Sequence, residues 1–121
     1  MILVDTSVWV DHLRSGDAHL AGLLDQGQVL GHPWVLGELA LGRLSDSPGV
    51  LGLLSQLPQA PVATPTEVLT LIERAQLAGT GIGYVDVHLL AAALLAPGTL
   101  LWTRDRRLAA AAARSGCGAD P

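Results

Sequence analysis

The first ten residues of the chain, "MILVDTSVWV" (residues 1–10), place a single acidic residue, Asp5, directly after an apolar run. A short apolar run followed by polar residues predicts a buried strand, which we assign to residues 2–5. Burial of a carboxylate is costly unless the group is paired, hydrogen-bonded or bound to a metal ion. The position of Asp5 therefore predicts that another part of the chain, or a cation, compensates its charge.

Composition predicts a folded protein outside the membrane. Of the 121 residues, 50% are hydrophobic and 15% are charged, which suits one domain over residues 1–121. The apolar run "LLAAALLA" ends at Pro97, short of the ~20 residues that a spanning helix needs. The N-terminus lacks a basic region, so no signal peptide is expected. The lone cysteine, Cys117, fits a reducing cytosol and is expected to be incidental in a polar tail.

The basic residues exclude several chemistries, because all 7 of them are arginines. A P-loop, a Schiff-base enzyme and a kinase-type phosphate clamp each need a lysine. The formal net charge of −4 argues against broad electrostatic adhesion to nucleic acid. A local site stays possible, since Arg104, Arg106 and Arg107 lie close together in the sequence.

Strand-like and helix-like segments alternate along the chain, which favours an α/β fold with a mostly parallel sheet. The predicted strands span residues 2–5, 29–31, 61–63 and 100–103. The predicted helices span residues 7–14, 17–26, 33–44, 49–57, 65–78, 84–96 and 104–116. Thr6 or Ser7 is the expected N-cap of the first helix. Thr64 and Glu67 predict a capping box at the fifth helix.

Four acidic residues lie in apolar settings. Asp5 ends the first strand and Asp105 follows the last, and parallel α/β sheets bind ligands outside the carboxyl ends of their strands. Glu38 has apolar neighbours on its helix, and Asp86 lies in the first turn of an apolar helix. Taken singly, Asp86 and Asp105 are equally well explained as helix-capping or ion-paired carboxylates. Taken together, the four acids are placed to converge on one edge of the sheet.

Clustered acids need cations or shared protons, because two like charges ~4 Å apart repel by about 4 kcal/mol at an effective dielectric constant of ~20. Within the chain only arginines could neutralise them. An all-oxygen set of carboxylates selects Mg²⁺ or Mn²⁺ rather than zinc. His88 lies about 200° round the helix from Asp86 and cannot share its face. The patterns around His12, His19 and His32 favour surface or packing roles.

Four segments resemble the PIN-domain ribonucleases, and more narrowly the VapC toxins of bacterial toxin–antitoxin pairs. They are "MILVDTSVWVDHL", "GELALG", "GIGYVDVHLLAAALL" and "LLWTRDRRL", which cover nearly the whole chain in the family's order. The resemblance implies a three-layer α/β/α sandwich with a central, mostly parallel sheet of four to five strands. It also implies a Mg²⁺- or Mn²⁺-dependent endoribonuclease that hydrolyses tRNA or other structured RNA and so inhibits translation and growth.

The resemblance carries residue roles and partners with it. The family's catalytic and metal-binding acidic quartet matches Asp5, Glu38, Asp86 and Asp105. The hydroxyls that orient carboxylates or waters match Thr6, Ser7 and Thr103. The family further implies a VapB-type antitoxin, a homodimer within a larger toxin–antitoxin complex, and a cytoplasmic location.

The residues also suggest how the roles divide. Asp5 and Asp86 are the expected direct metal ligands, while Glu38 and Asp105 ligate a second ion, hold waters or assist proton transfer. Three arginines contact RNA phosphates or are ordinary helix-surface charges: Arg104, Arg106 and Arg107. The high apolar content predicts a homodimer whose remaining groove binds an antitoxin segment.

Two other enzyme classes fit poorly. A phosphoacceptor receiver domain needs a lysine, which the chain lacks. A haloacid-dehalogenase-type phosphatase needs an aspartate where Ser7 stands. The remaining alternative is a module on the same fold that binds RNA or antitoxin without cleaving.

Overall fold

The computed structural model describes residues 1–42 and 49–120, in which helices flank a small parallel sheet. The strands are β1 (Ile2–Val4), β2 (Val29–Leu30) and β3 (Leu100–Trp102). The helices are α1 (Thr6–Ser15), α2 (Ala18–Asp25), α3 (Pro33–Leu41), α4 (Val50–Ser55), α5 (Pro65–Arg74), α6 (Tyr84–Leu95) and α7 (Arg106–Arg114). This arrangement confirms the predicted α/β class. The end of the predicted third helix, residues 43–44, lies outside the described residues.

β1 is the central strand of the sheet, whose order is β2-β1-β3 with both pairings parallel. Leu3 and Val4 are completely buried, as expected for the central strand of a parallel sheet whose faces are covered by helices. Ile2 pairs with Val29 on one side and with Leu100 on the other. The strand that opens the sequence therefore organises the sheet, and its carboxyl end leads directly to Asp5.

Within the described residues the sheet has three strands, and single parallel bridges extend both of its edges. One bridge joins Gly31 to Gln59, and the other joins Leu101 to Gly118. The strand predicted at residues 61–63 is wrong. Gly31 accepts a hydrogen bond from the Ala60 N–H (2.9 Å), but the next donor along its own segment would be Pro33, which has no N–H and begins α3, so the pairing ends there.

Most helix ends lie within a few residues of the predicted ones, and two differences have a clear structural reason. The N-cap of α1 is Asp5 rather than Thr6 or Ser7. The predicted capping box between Thr64 and Glu67 is present at the start of α5, but that helix ends at Arg74 instead of residue 78. It ends early because Gln76 adopts a left-handed conformation (φ 54°), which an α-helix does not accommodate.

The core is built around α6, in which every residue from Val87 to Ala93 is buried. A helix that is apolar on all sides is expected to be surrounded by other elements, and α5, α7 and β3 pack against it. Cys117 is also buried, so the expected polar tail is wrong there. Its carbonyl accepts a hydrogen bond of 2.7 Å from the Leu101 N–H, which ties this segment to the edge of the sheet. Across the described ranges, no helix combines the length and apolarity needed to cross a membrane.

Candidate active site

The acidic quartet, defined as Asp5, Glu38, Asp86 and Asp105, lies around the carboxyl end of the sheet. Asp5 follows β1, Asp105 is the N-cap of α7 just beyond β3, and α3, which carries Glu38, follows β2. Asp86 enters from the first turn of α6. The charges of the other three carboxylates all act on Asp86 and raise its pKa. The structure thus brings the four acids within electrostatic range at one end of the fold.

Asp5 is buried, with 4% of its surface exposed, and two hydroxyl groups hold its carboxylate. Its Oδ2 accepts hydrogen bonds from Ser7 Oγ (2.7 Å) and Thr103 Oγ1 (2.8 Å). Although Asp5 is the N-cap of α1, its side chain accepts no capping hydrogen bond from a backbone N–H of that helix. The carboxylate is therefore turned away from the usual capping geometry and toward the end of β3.

Glu38 is exposed and is held by Thr6, whose Oγ1 donates a hydrogen bond of 2.7 Å to Glu38 Oε1. The glutamate lies on the wall of an open groove of about 400 Å³. The groove is otherwise mostly apolar, and its lining residues are Pro33, Trp34, Gly37, Glu38, Leu41 and Val85. The apolar setting predicted for Glu38 is thus a surface groove rather than the core.

Asp86 is the member of the quartet whose surroundings raise its pKa and so disfavour its charged form. Burial raises its pKa most, followed by the charges of Asp5, Asp105 and Glu38, and together they bring its pKa to about 6. Among the described residues, no ion pair involves any quartet carboxylate. A cation at this position would relieve the repulsion that Asp86 experiences.

Asp105 has a structural role in addition to its place in the quartet. Its Oδ1 accepts a hydrogen bond of 2.9 Å from the Leu108 N–H and so caps α7. Its own N–H donates to Thr103 Oγ1 at 3.0 Å. Thr103 therefore joins two members of the quartet, because it accepts from Asp105 and donates to Asp5.

Residues 2–114 match the PIN domain family. The chain belongs to the PIN-domain family. It is also 53% identical over 116 residues to Ribonuclease VapC32 of Mycobacterium tuberculosis, both in strain CDC 1551 / Oshkosh and in strain ATCC 25618 / H37Rv. The aligned region covers 96% of this chain and 94% of each relative. The chain is accordingly a PIN domain of the VapC type, and the matched region contains the whole quartet.

The arginines that follow β3 in this PIN domain do not pair with the quartet. The Arg104 guanidinium forms ion pairs with Asp11 and, at 2.6 Å, with Asp17. It also lies 5.9 Å from the ring centroid of Trp102. The sequence left two interpretations of Arg104 open, namely RNA contact or an ordinary surface charge. The ion pairs with Asp11 and Asp17 favour a structural role at the surface over RNA contact.

Arg106 and Arg107 are exposed, and the described residues offer neither of them an ion-pair partner. The Arg107 guanidinium lies against the glycine-rich turn before α6. A Cβ atom on Gly81 would lie 2.8 Å from Arg107 Nη1, so any other residue there would require the flexible Arg107 side chain to move. Arg107 thus lies beside the turn that leads to Asp86.

The chemistry of the donor set fits a hard divalent cation, since the quartet offers only oxygen ligands and carries uncompensated negative charge. In the described ranges, no three His, Cys, Asp or Glu side chains are close enough to one another to hold a metal ion as they stand. Burial and then the charges of Asp5, Asp105 and Glu38 raise the pKa of Asp86, and a cation among these groups would oppose that shift.

Two buried histidines beside the quartet were not anticipated as partners. His32 is the N-cap of α3, and its Nδ1 accepts a hydrogen bond of 3.0 Å from the Trp34 N–H. His88, on α6, stacks against the Trp34 ring with a centroid separation of 4.4 Å. The His-Pro pair at the start of the predicted third helix marks the capping position, but the sequence gives no sign that Trp34 meets the His88 ring.

Proposed function

We propose that this protein is a Mg²⁺- or Mn²⁺-dependent endoribonuclease and the toxin of a toxin–antitoxin pair. The observation that carries the proposal is the convergence of four carboxylates at the carboxyl end of a parallel sheet, with no arginine of the described residues neutralising them. The relatives at 53% identity are named ribonucleases, which supports RNA as the substrate. We further propose that residues 1–121 form one PIN-like domain and that the protein acts in the cytoplasm.

In this proposal Asp5 and Asp86 are direct metal ligands. Asp5 has Oδ1 left for this purpose, because the hydrogen bonds from Ser7 and Thr103 are both made to Oδ2. Glu38 and Asp105 hold a second ion or waters, or assist proton transfer. A divalent cation bound here supplies an activated water and stabilises charge on the attacking and leaving oxygens.

The hydroxyl groups keep the carboxylates in place before any cation binds. Ser7 and Thr103 restrict rotation of the Asp5 carboxylate, and Thr6 does the same for Glu38. Groups that orient ligands in this way commonly change metal affinity or activity by about 10–100-fold. Asp86, whose pKa is about 6, must lose its proton before it can ligate a cation.

Arg106 and Arg107 are the proposed contacts to RNA phosphates, because both are exposed at the start of α7 near Asp105. Arg104 contributes less in this proposal, since Asp11 and Asp17 already hold its guanidinium. We propose tRNA or another structured RNA as the substrate. Cleavage within a loop would suit this arrangement, because unstacked bases of single-stranded RNA are accessible to a protein groove.

Exposed apolar side chains support the proposed protein partners. Leu41 is 92% exposed, Leu53 68% and Leu69 61%. Large exposed apolar surfaces of soluble proteins commonly mark interaction sites. We propose that part of this surface forms a homodimer and that a VapB-type antitoxin covers another part.

A non-catalytic RNA- or antitoxin-binding module is the second candidate. It is favoured by one observation, namely that no three candidate ligands of the described residues form a closed metal site as they stand. In that case the quartet would be an acidic surface without chemistry, and removing divalent cations would not change what the protein does to RNA.

The test is cleavage of tRNA and of an unstructured RNA by purified protein, with Mg²⁺, with Mn²⁺ and with EDTA. We expect cleavage that EDTA abolishes and that added Mg²⁺ or Mn²⁺ restores. Asp86→Asn should abolish cleavage, whereas the matched control Asp25→Asn, at the exposed end of α2, should not. RNA binding without cleavage under every metal condition would support the non-catalytic module instead.

A further inference from the structure

Two buried nitrogen atoms lack a hydrogen-bond partner among the atoms of the described residues, and both belong to histidines. They are His32 Nε2 and His88 Nδ1. His32 is 2% exposed and His88 3% exposed, so bulk water does not reach either ring freely. A buried polar atom without a partner is costly and rare in native proteins, so each of these atoms calls for an explanation.

The proton on His32 can be assigned from its one hydrogen bond. Its Nδ1 accepts the Trp34 N–H at 3.0 Å, so Nδ1 carries a lone pair. Burial and the charge of His88 lower the pKa of His32 to about 4, so the ring is neutral near pH 7. A neutral imidazole with a free Nδ1 lone pair carries its proton on Nε2. His32 Nε2 is therefore a donor, which also excludes it as a metal ligand in this arrangement.

His88 Nδ1 is the other buried nitrogen atom without a partner, and His88 lies close enough to His32 to influence its pKa. Its ring stacks on Trp34, the residue whose N–H binds His32, with an interplanar angle of 18°. The Tyr84 ring also packs against His88, with the two rings nearly perpendicular and a centroid distance of 4.8 Å. These two contacts fix the orientation of the ring. In the tautomer with its proton on Nε2, the His88 ring presents an acceptor at Nδ1, which complements the donor of His32.

We propose that His32 Nε2–H donates to His88 Nδ1 through one bridging water molecule, and that this His32–His88 link holds the start of α3 against α6. The helix α3 carries Glu38 and α6 carries Asp86. The two histidines are then positioning residues for the quartet, and this role rests on the proposed function. They do not touch the RNA or the cation; they set the relative placement of the two helices that carry half of the ligands.

The link itself is tested by NMR of the ring nitrogens in the metal-free protein near pH 7, which needs no ribonuclease activity. We expect His32 in the Nε2–H tautomer, with a ring proton that exchanges with water much more slowly than that of exposed His19. A His32 ring protonated on Nδ1, or an Nε2 proton that exchanges as fast as the His19 proton, would overturn the link.

Substitution of His88 separates a hydrogen-bonded link from simple packing. His88→Leu removes the acceptor but keeps an apolar side chain, whereas His88→Asn places an amide oxygen near the position of Nδ1. We expect His88→Leu to lower Tm by about 5 °C and kcat by about tenfold, with KM within about twofold. His88→Asn should recover most of both losses, and the control His19→Leu should change neither.

The outcomes are distinguishable. His88→Leu with unchanged or raised Tm and unchanged kcat would show that the ring is only packed, which contradicts the proposal. If His88→Leu does not fold, His88→Asn and the tautomer of His32 still decide the question. If the wild-type protein cleaves no RNA, the proposed function fails, while the NMR and Tm measurements continue to test the link.

Discussion

Two groups of carboxylates in this protein differ in how the surrounding residues compensate their negative charge. Asp11 and Asp17 share the guanidinium of Arg104, and Asp17 also caps α2 by accepting the Leu20 N–H at 2.9 Å. The backbone hydrogen bond from Leu20 and the contacts with Arg104 hold the pKa of Asp17 below its usual value. Asp86, in the quartet, has its pKa raised to about 6 by burial and by three other acids.

The comparison distinguishes structural from functional acids by their local compensation. Where an acid holds two elements together, the fold supplies a donor and a cation for it. Around the quartet the fold supplies hydroxyl donors, but the described part of the chain supplies no ion-paired cation. Four like charges left in this state favour the binding of an external divalent cation.

The largest effect is expected from Asp86→Asn. RNA cleavage should fall at least about 100-fold, because the amide is a poor metal ligand and cannot take part in proton transfer. The same substitution should stabilise the metal-free protein at pH 7.5 by about 1–2 kcal/mol, after allowance for partial exposure of the group. Asp11→Asn is the matched control and should lower Tm while cleavage stays within a few-fold. Equal losses of cleavage in both variants would remove the distinction between the two groups.

The next largest expected effect is on the pH dependence of the free energy of unfolding. The pKa of Asp86 is higher in the folded than in the unfolded state, so the folded protein binds more protons, and this contribution is lost as pH rises from about 4 through 6. The pKa of His32 is lowered to about 4, so its contribution runs in the opposite direction over the same interval. The difference between the unfolding free energies of the wild type and Asp86→Asn isolates Asp86. That difference should grow in favour of the variant as pH rises, and Mg²⁺ should reduce it.

A smaller effect is expected from Thr103→Val. Asp5 Oδ2 would keep the hydrogen bond from Ser7 but lose the one from Thr103, and the Asp105 N–H would lose its acceptor. We expect kcat to fall about tenfold through poorer placement of the carboxylates. Thr66→Val, at an exposed position of α5, is the control. An unchanged kcat in Thr103→Val would mean that Ser7 alone suffices to orient Asp5.

The smallest effects distinguish Arg104 from Arg106. Arg104→Gln should lower Tm by about 2 °C, less at high salt, because exposed ion pairs contribute little and are screened. Arg106→Gln should leave Tm unchanged, raise KM for RNA and make that KM less dependent on salt. The opposite pattern, with KM changed only by Arg104→Gln, would assign the phosphate contact to the ion-paired arginine.

Features set by neighbouring residues were predictable from the sequence. The capping box of Thr64 and Glu67 involves residues within one helical turn, and a threonine followed three residues later by a glutamate is a sequence signature of a helix N-terminus. The placement of Asp5 and Asp105 at one end of the fold follows from the parallel direction of β1 and β3. The site prediction depended on these two kinds of regularity.

Features that depend on distant partners were not predictable. Arg104 meets Asp11 and Asp17 across separations of 93 and 87 residues, and nothing near Arg104 in the sequence indicates which acids it will reach. The stacking of Trp34, which lies next to His32 in space, on His88 likewise joins residues that are distant in the sequence. Burial of Cys117 likewise follows from pairing of its backbone with Leu101 and not from its polar neighbours in the sequence.

The central claim is that the quartet, and not the Arg104-paired acids, binds a divalent cation. Calorimetric titration of Mn²⁺ or Mg²⁺ into metal-free protein at pH 7.5 tests it most directly, with wild type, Asp86→Asn and Asp11→Asn compared under identical conditions. We expect saturable binding by the wild type and by Asp11→Asn, and none by Asp86→Asn. Binding that survives Asp86→Asn but is lost in Asp11→Asn, or a wild-type protein that binds neither cation, would contradict the claim.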